Sequence, residues 1–130
     1  MGVSTAKCEL KTHGSVLLWT NKTFALTTEE ASEIAGEIRT LVASGQVRLL
    51  VVDNRAIQNG VWLAEVNTIW GELMGFLAQH IDKCATITAS VTNKMQLNRL
   101  SRAANSFEKI QAFVEEVEAL TFLGIESLPN

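Results

Sequence analysis

The sequence predicts an α/β domain in which one mixed sheet of four or five strands is covered by about four helices, most of them on one side. Residues 47–53 form a near-continuous apolar run ending in Asp53, which is typical of a strand covered on both faces. Strand patterns alternate with helical patterns, which indicates βαβ crossovers onto one sheet. The 130 residues, 47% of them hydrophobic, can form a single domain over 1–130 with a sizeable core.

The first half of the chain predicts a hairpin, a helix and the central strand. Short strands at 8–10 and 16–19 flank Gly14, which suits a tight turn. Thr27 stands three residues before Glu30, an arrangement typical of a capping box at a helix start. Apolar residues then repeat at helical spacing until a glycine that ends the helix. The central strand at 47–53 follows.

The second half continues the alternation of helices and strands. A helix is predicted from about 61 to 80, a strand at 86–89, a helix at 93–104, a strand at 109–113 and a closing helix at 115–123. Acidic residues in the first turn of the closing helix complement its dipole. The predicted order is ββαβαβαβα.

Composition limits the classes of function. A net charge of −3 and a pI near 5.4 lack the basic footprint of a nucleic-acid-binding protein. Residues 1–9 lack the apolar stretch of a signal peptide, and no segment reaches the roughly 18 apolar residues of a membrane helix. We therefore expect a soluble cytoplasmic protein. Cys8 and Cys84 are far apart, and we expect both to be reduced packing residues.

Catalytic and metal chemistry find little support in the sequence. His13 and His80 are the only histidines, and neither lies in a nucleophile motif such as GxSxG. His80 falls in the last turn of its predicted helix, where it complements the dipole. A site made of His80 and Cys84 would supply only two metal ligands. We predict no enzyme activity, no metal and no cofactor.

The element order, the Leu-Val-Val-Asp core strand and the closing Phe113 with Ala119-Leu120-Thr121-Phe122-Leu123 together resemble the SpoIIAA-like (STAS-type) fold. The resemblance covers nearly the whole chain. The chain is similar in particular to small stand-alone bacterial proteins of that superfamily, which are described as having a lipid-transfer-like (CRAL-TRIO-type) relationship. Anti-sigma-factor antagonists of the family have a phosphorylatable serine in the turn after the core strand. Here that turn, residues 55–60, has no serine or threonine, which argues against a kinase-switched role.

The same turn precedes the start of the second predicted helix, where free backbone amides favour an anion. The residues at this helix mouth are Asp53, Asn54, Arg55, Gln58, Asn59 and Gly60. Arg55 would add positive charge to a phosphate site. Asn59-Gly60 is also ordinary turn chemistry, and one glycine falls short of a phosphate-binding loop. We favour the turn.

The second predicted helix is apolar on two faces. One stripe, with Leu63, Val66, Trp70, Leu73 and Leu77, should face the sheet, and a second consists of Trp62, Ile69 and Phe76. Gly71 and Gly75 cost about 1 kcal/mol each against alanine, which suggests close approach of the sheet, another chain or a ligand. Three alternatives stay open for the second stripe: cover by the N-terminal hairpin or closing helix, homodimerisation, or an apolar small molecule.

A basic patch of Lys94, Arg99 and Arg102 lies on the third predicted helix. It is typical of a solvated face, and an acidic partner or a lipid headgroup is the functional alternative. Nucleic acid is disfavoured because no aromatic residue accompanies the charges.

The favoured function is a non-enzymatic bacterial interaction or regulatory module. It would self-associate or bind a protein partner through the second helix, with Trp62, Ile69, Trp70 and Phe76 at the contact. The alternative is a carrier that holds an acyl-like or other apolar molecule between that helix and the sheet.

Overall fold

The computed structural model describes residues 7–23, 26–57, 63–103 and 105–128. It has the predicted order ββαβαβαβα. The strands are β1 (Cys8–His13), β2 (Val16–Asn21), β3 (Leu49–Asp53), β4 (Lys83–Ile87) and β5 (Ile110–Phe113), and the helices are α1 (Thr28–Ala43), α2 (Ala64–His80), α3 (Val91–Ala103) and α4 (Glu116–Leu123).

The five strands form one sheet in the order β1-β2-β3-β4-β5. β1 pairs antiparallel with β2 through the predicted hairpin, and Gly14 in its turn has a φ of 60°. The other pairs are parallel, with Leu50 opposite both Leu17 and Cys84. Because β2 to β5 run parallel to one another, their carboxyl ends meet at one edge of the sheet.

Alternate side chains of the strands supply two apolar cores, one on each face of the sheet. On one face, α1 and α2 pack against Trp19, Leu50 and Val52 among others. On the other face, Ala119 and Leu123 of α4 pack against the side chains of opposite parity, among them Leu18, Val51, Ala85 and Ile87. The predicted strand covered on both faces is therefore confirmed in β3.

α1 begins as predicted. The hydroxyl of Thr27 accepts a hydrogen bond from the backbone N–H of Glu30, and the carboxylate of Glu30 accepts one from the backbone N–H of Thr27. Both hydrogen bonds of the capping box satisfy amides that have no partner within the helix. Gly45, beyond the end of α1, has a φ of 83°, a conformation that favours glycine.

Two local predictions are wrong. The strand predicted at 86–89 is β4, Lys83–Ile87, because pairing with β3 begins directly after α2 and outweighs the β-branched preference of the later residues. Leu63, predicted to face the sheet, has 55% of its surface exposed. It is the residue before α2, with extended backbone, so it does not continue the helical stripe.

The aromatic face of α2 is covered by α1. Trp70 is only 8% exposed and packs edge-to-face on Trp19, with ring centroids 4.9 Å apart. The half-buried Ile69 and Phe76 pack against the same core, and the Arg39 guanidinium of α1 lies 5.6 Å from the Phe76 ring centroid. The part of the first alternative in which the closing helix covers this stripe is wrong, since α4 packs on the opposite face of the sheet.

The outer edge of β5 is capped by a side chain of α3. The Asn98 carboxamide accepts from the Ala112 N–H at 2.7 Å and donates to the Ala112 carbonyl at 3.2 Å. Asn98 is only 8% exposed, so the contact is largely shielded from water. It replaces the hydrogen bonds that a further strand would make, which protects an exposed edge from pairing with other chains.

Replacing Asn98 with alanine should lower the free energy of unfolding by about 1–3 kcal/mol, because two backbone groups of Ala112 lose their partner in a buried place. Urea denaturation of N98A and wild type measures the loss. The matched control is Asn67→Ala, on an exposed face of α2, which should change stability by less than about 0.5 kcal/mol. Equal effects of both variants would contradict the capping role.

Candidate functional site

The carboxyl-end edge of the sheet brings three charged side chains together. Arg55 donates from Nε to Asp53 Oδ1 at 3.0 Å and from Nη2 to Asp53 Oδ2 at 2.9 Å, and its backbone N–H also donates to Asp53. The other guanidinium nitrogen, Nη1, lies 3.0 Å from Glu116 Oε1 in the first turn of α4. Arg55 thus ties the end of β3 to the start of α4.

These contacts set the protonation of the group. Burial acts to raise the pKa of Asp53, but the hydrogen bonds and charge of Arg55 outweigh it, so that this pKa lies below its usual value. The pKa of Arg55 is raised, chiefly by its hydrogen bonds to Asp53. Asp53 is therefore ionised at neutral pH, and its lowered pKa makes it too weak a base to remove a proton there.

The anion site, which the sequence analysis disfavoured against an ordinary turn, loses its positive charge in this arrangement. The Arg55 guanidinium is shared between two carboxylates, so the group has a net negative charge. Asn54 uses its side-chain oxygen to accept from Asn21 Nδ2 at 2.8 Å, and its backbone N–H donates to the Ile87 carbonyl. Both contacts join neighbouring strand ends. Gln58, Asn59 and Gly60 lie outside the described residues.

The outward face of α2 is lined by small side chains. Ala64, Thr68, Gly71 and Gly75 are exposed along one line of the helix. A Cβ added at Gly71 or Gly75 would meet no atom within 4 Å among the described residues. The expectation that the sheet approaches these glycines closely is therefore wrong, because both point away from it.

The predicted aromatic contact surface is mostly internal. Trp70 lies in the core against Trp19, so it is not available to a partner. Phe76 stacks on the exposed His80 with ring centroids 4.1 Å apart, and Ile69 is half-buried beside it. Trp62 lies outside the described residues. The exposed large apolar side chains among those described are Leu63, Val91, Met95 and Val117.

One residue of the basic patch, Arg102, packs on an aromatic ring. Arg102 lies over the Phe107 ring, 4.1 Å from its centroid, while Arg99 is exposed and Lys94 half-buried. An aromatic residue therefore does accompany the charges, contrary to the sequence analysis. Because the Arg102 guanidinium lies over that ring, Phe107 serves as a packing partner of the patch.

His80 and the two cysteines occupy structural positions. His80 Nδ1 lies 2.8 Å from the Phe76 carbonyl in the last turn of α2, as its predicted place at a helix end allows. Burial raises the pKa of Cys8 to about 11 and that of Cys84 to about 12, so both are neutral thiols at physiological pH. Across the described ranges, no three His, Cys, Asp or Glu residues are grouped so as to hold a metal ion.

Two residues that organise this structure were not singled out in the sequence analysis. Glu116 was counted only among the acids in the first turn of the closing helix, and Asn98 was not considered. Their partners, Arg55 and Ala112, are 61 and 14 positions away in the sequence. No spacing rule connects such distant pairs, and only the strand order brings them together.

No protein-family model and no curated protein matches the chain. Among solved structures, it is similar to the crystal structure of an uncharacterized protein of the DUF3478 family from Shewanella loihica PV-4, described as having a SpoIIAA-like fold. The two are 15% identical with a TM-score of 0.66, and the match covers 95% of this chain and 98% of that one. The predicted SpoIIAA-like fold is confirmed. At this identity the likeness shows the fold alone.

The helices of the described residues include none that is both long and apolar enough to cross a membrane.

Replacing Arg55 with methionine should destabilise the protein by about 1–2 kcal/mol near neutral pH, because Asp53 loses its hydrogen bonds in a partly buried place. The pKa of Asp53 is lowered in the folded protein, so its contribution is present above the unfolded value near 3.8 and is lost as the pH falls through the folded pKa. The stability difference between wild type and R55M, measured by urea denaturation, should shrink below about pH 4. A difference independent of pH would contradict this linkage.

Neither thiol should react with Ellman's reagent in the folded protein at mildly alkaline pH, because both cysteines are fully buried. Both of the two thiols should react after unfolding in guanidinium chloride. The absorbance of the released thiolate measures each state. Rapid reaction of either cysteine before unfolding would contradict the packing role.

Proposed function

We propose that this protein is a non-enzymatic interaction module that self-associates through the outward face of α2. The single observation that supports this most is the pair of exposed glycines, Gly71 and Gly75, in the middle of the helix. Each lowers helix stability by roughly 0.5–1 kcal/mol relative to alanine. Neither has a positive φ, and no described neighbour limits the space beside it.

A face of small side chains is suited to packing against a second helix. Where side chains are small, two helix axes can approach closely and gain van der Waals contact along their length. Ala64, Thr68, Gly71 and Gly75 make a shallow track of this kind on α2. The half-buried Ile69, Met74 and Phe76 lie nearer the sheet and would flank a helix seated in the track.

The alternatives have less support. The carrier proposal needs room between α2 and the sheet, but Val66, Leu73 and Leu77 are fully buried there and Trp70 fills the space beside them. Catalysis has no constellation of suitable groups on which to rest in the described part of the chain. At the carboxyl-end edge, the Asp53 carboxylate and the Arg55 guanidinium are held in an ion pair.

Replacing Gly75 with leucine should weaken self-association at least tenfold, because a branched side chain would keep the second helix at a distance. Sedimentation velocity over a range of concentrations measures the change. The matched control is Thr121→Leu, which adds an exposed leucine to α4 on the opposite face of the sheet and should leave association unchanged. Identical association of wild type and G75L would contradict the proposal.

Replacing Gly71 or Gly75 with alanine tests the same face through the stability of the single chain. In dilute, dissociated protein, G71A and G75A should each raise the free energy of unfolding by about 0.5–1 kcal/mol, because alanine restricts the unfolded chain and a methyl group meets open space. A destabilising effect would mean that the glycines serve the fold itself.

A further inference from the structure

The two edges of the sheet differ in whether a side chain caps their backbone groups. The outer edge of β5 is capped by Asn98, whereas β1 forms the other edge of the described sheet. An edge strand with free backbone groups is a template on which another strand can pair. β1 is six residues long, which is enough for several such hydrogen bonds.

The register shows which backbone groups of β1 point outward. Opposite residues of an antiparallel pair alternate between those that exchange hydrogen bonds and those that do not. The Lys22 N–H donates to the Lys7 carbonyl at 2.9 Å, so residues 7, 9, 11 and 13 direct their backbone groups toward β2. Leu10 and Thr12 direct theirs to the outside, where no residue of the described ranges hydrogen-bonds to them.

The side chains of β1 distinguish between possible partners for this edge. Glu9 and Lys11 point to the same face, are 33% and 42% exposed, and lie 3.5 Å apart. Charges on an edge strand normally discourage pairing because most partners leave them unmatched. Here two opposite charges stand on either side of Leu10, so the strand is complementary to a reversed copy of itself.

We propose that β1 pairs antiparallel with β1 of a second copy of this chain, about a twofold axis at Leu10. In this register Glu9 of each chain lies opposite Lys11 of the other, which makes two cross-strand ion pairs. The Leu10 backbone N–H and carbonyl of each chain exchange hydrogen bonds with those of the other, in agreement with their outward direction. The result is one continuous sheet of ten strands.

The charges also select this register over its neighbours. A twofold axis at Glu9 or at Lys11 would place like charges directly opposite each other, which is unfavourable. A shift by a single residue would bring the charged face of one strand beside the apolar face of the other. The pairing about Leu10 alone matches charge, face and backbone direction together.

Charge reversal tests the pairing. Lys11→Glu and Glu9→Lys each place two like-charged pairs across the axis, and each should weaken this contact roughly tenfold. The double variant E9K/K11E restores opposite charges and should restore wild-type association in sedimentation velocity. The control is Glu118→Lys in α4, an exposed reversal away from β1 that should not affect association. Wild-type association of K11E, or failure of the double variant to restore it, would overturn the proposal.

Amide hydrogen exchange locates the contact independently. The Leu10 and Thr12 amides should exchange more slowly as the protein concentration rises, because no described residue gives them an acceptor and the second chain would. The Glu9 and Lys11 amides face β2 and should exchange at a rate independent of concentration. Concentration-independent exchange of Leu10 and Thr12 would also overturn the proposal.

This contact uses a different surface from the outward face of α2, so the two proposals fail separately. If both form, the protein associates beyond a pair, and the assembly closes at four chains where the two twofold axes meet at right angles. G75L would then leave pairs joined through β1, with slow exchange at Leu10, and K11E would leave pairs joined through α2. If only β1 pairs, K11E yields single chains and G75L has no effect on mass.

Discussion

Burial of β3 on both faces is the constraint on which the rest of this structure depends. Leu50 and Val51 point to opposite sides of the sheet and are both fully buried. Neither side can be left to water, so α1 and α2 cover one face and α4 the other. Burial of each such side chain stabilises the fold by about 1.5–3 kcal/mol, before the entropy of ordering the chain is subtracted.

This arrangement uses the interior for packing and leaves interactions to the surface. α2 has its aromatic side chains against α1 and the sheet, so its outward face is free to be small. The charged group at the carboxyl-end edge is neutralised in part within the chain, where Arg55 holds α4 beside β3. Among the described residues, the track at Gly71 and Gly75 and the outward backbone groups of Leu10 and Thr12 have no partner, and we propose both as surfaces for macromolecular contact.

The sequence predicts the fold well because its periodic signals report burial. The order of nine elements, the capping box at Thr27 and the buried central strand all follow from local pattern. The site is less predictable, because it depends on which distant segments meet. Periodicity shows that α2 has two apolar stripes but not that α1 covers the second, and it cannot connect Arg55 with Glu116. Leu63 does not follow the helical periodicity of α2, because it precedes the first helical residue and has extended backbone.

Self-association is the central claim, and the mass of the wild-type protein in solution tests it most directly. Sedimentation equilibrium over a wide range of concentrations would measure that mass without any substitution. The account predicts reversible association from the chain mass of 14.2 kDa to a whole multiple of it. A mass of 14.2 kDa at every concentration would contradict the account, whatever the effect of individual variants on stability.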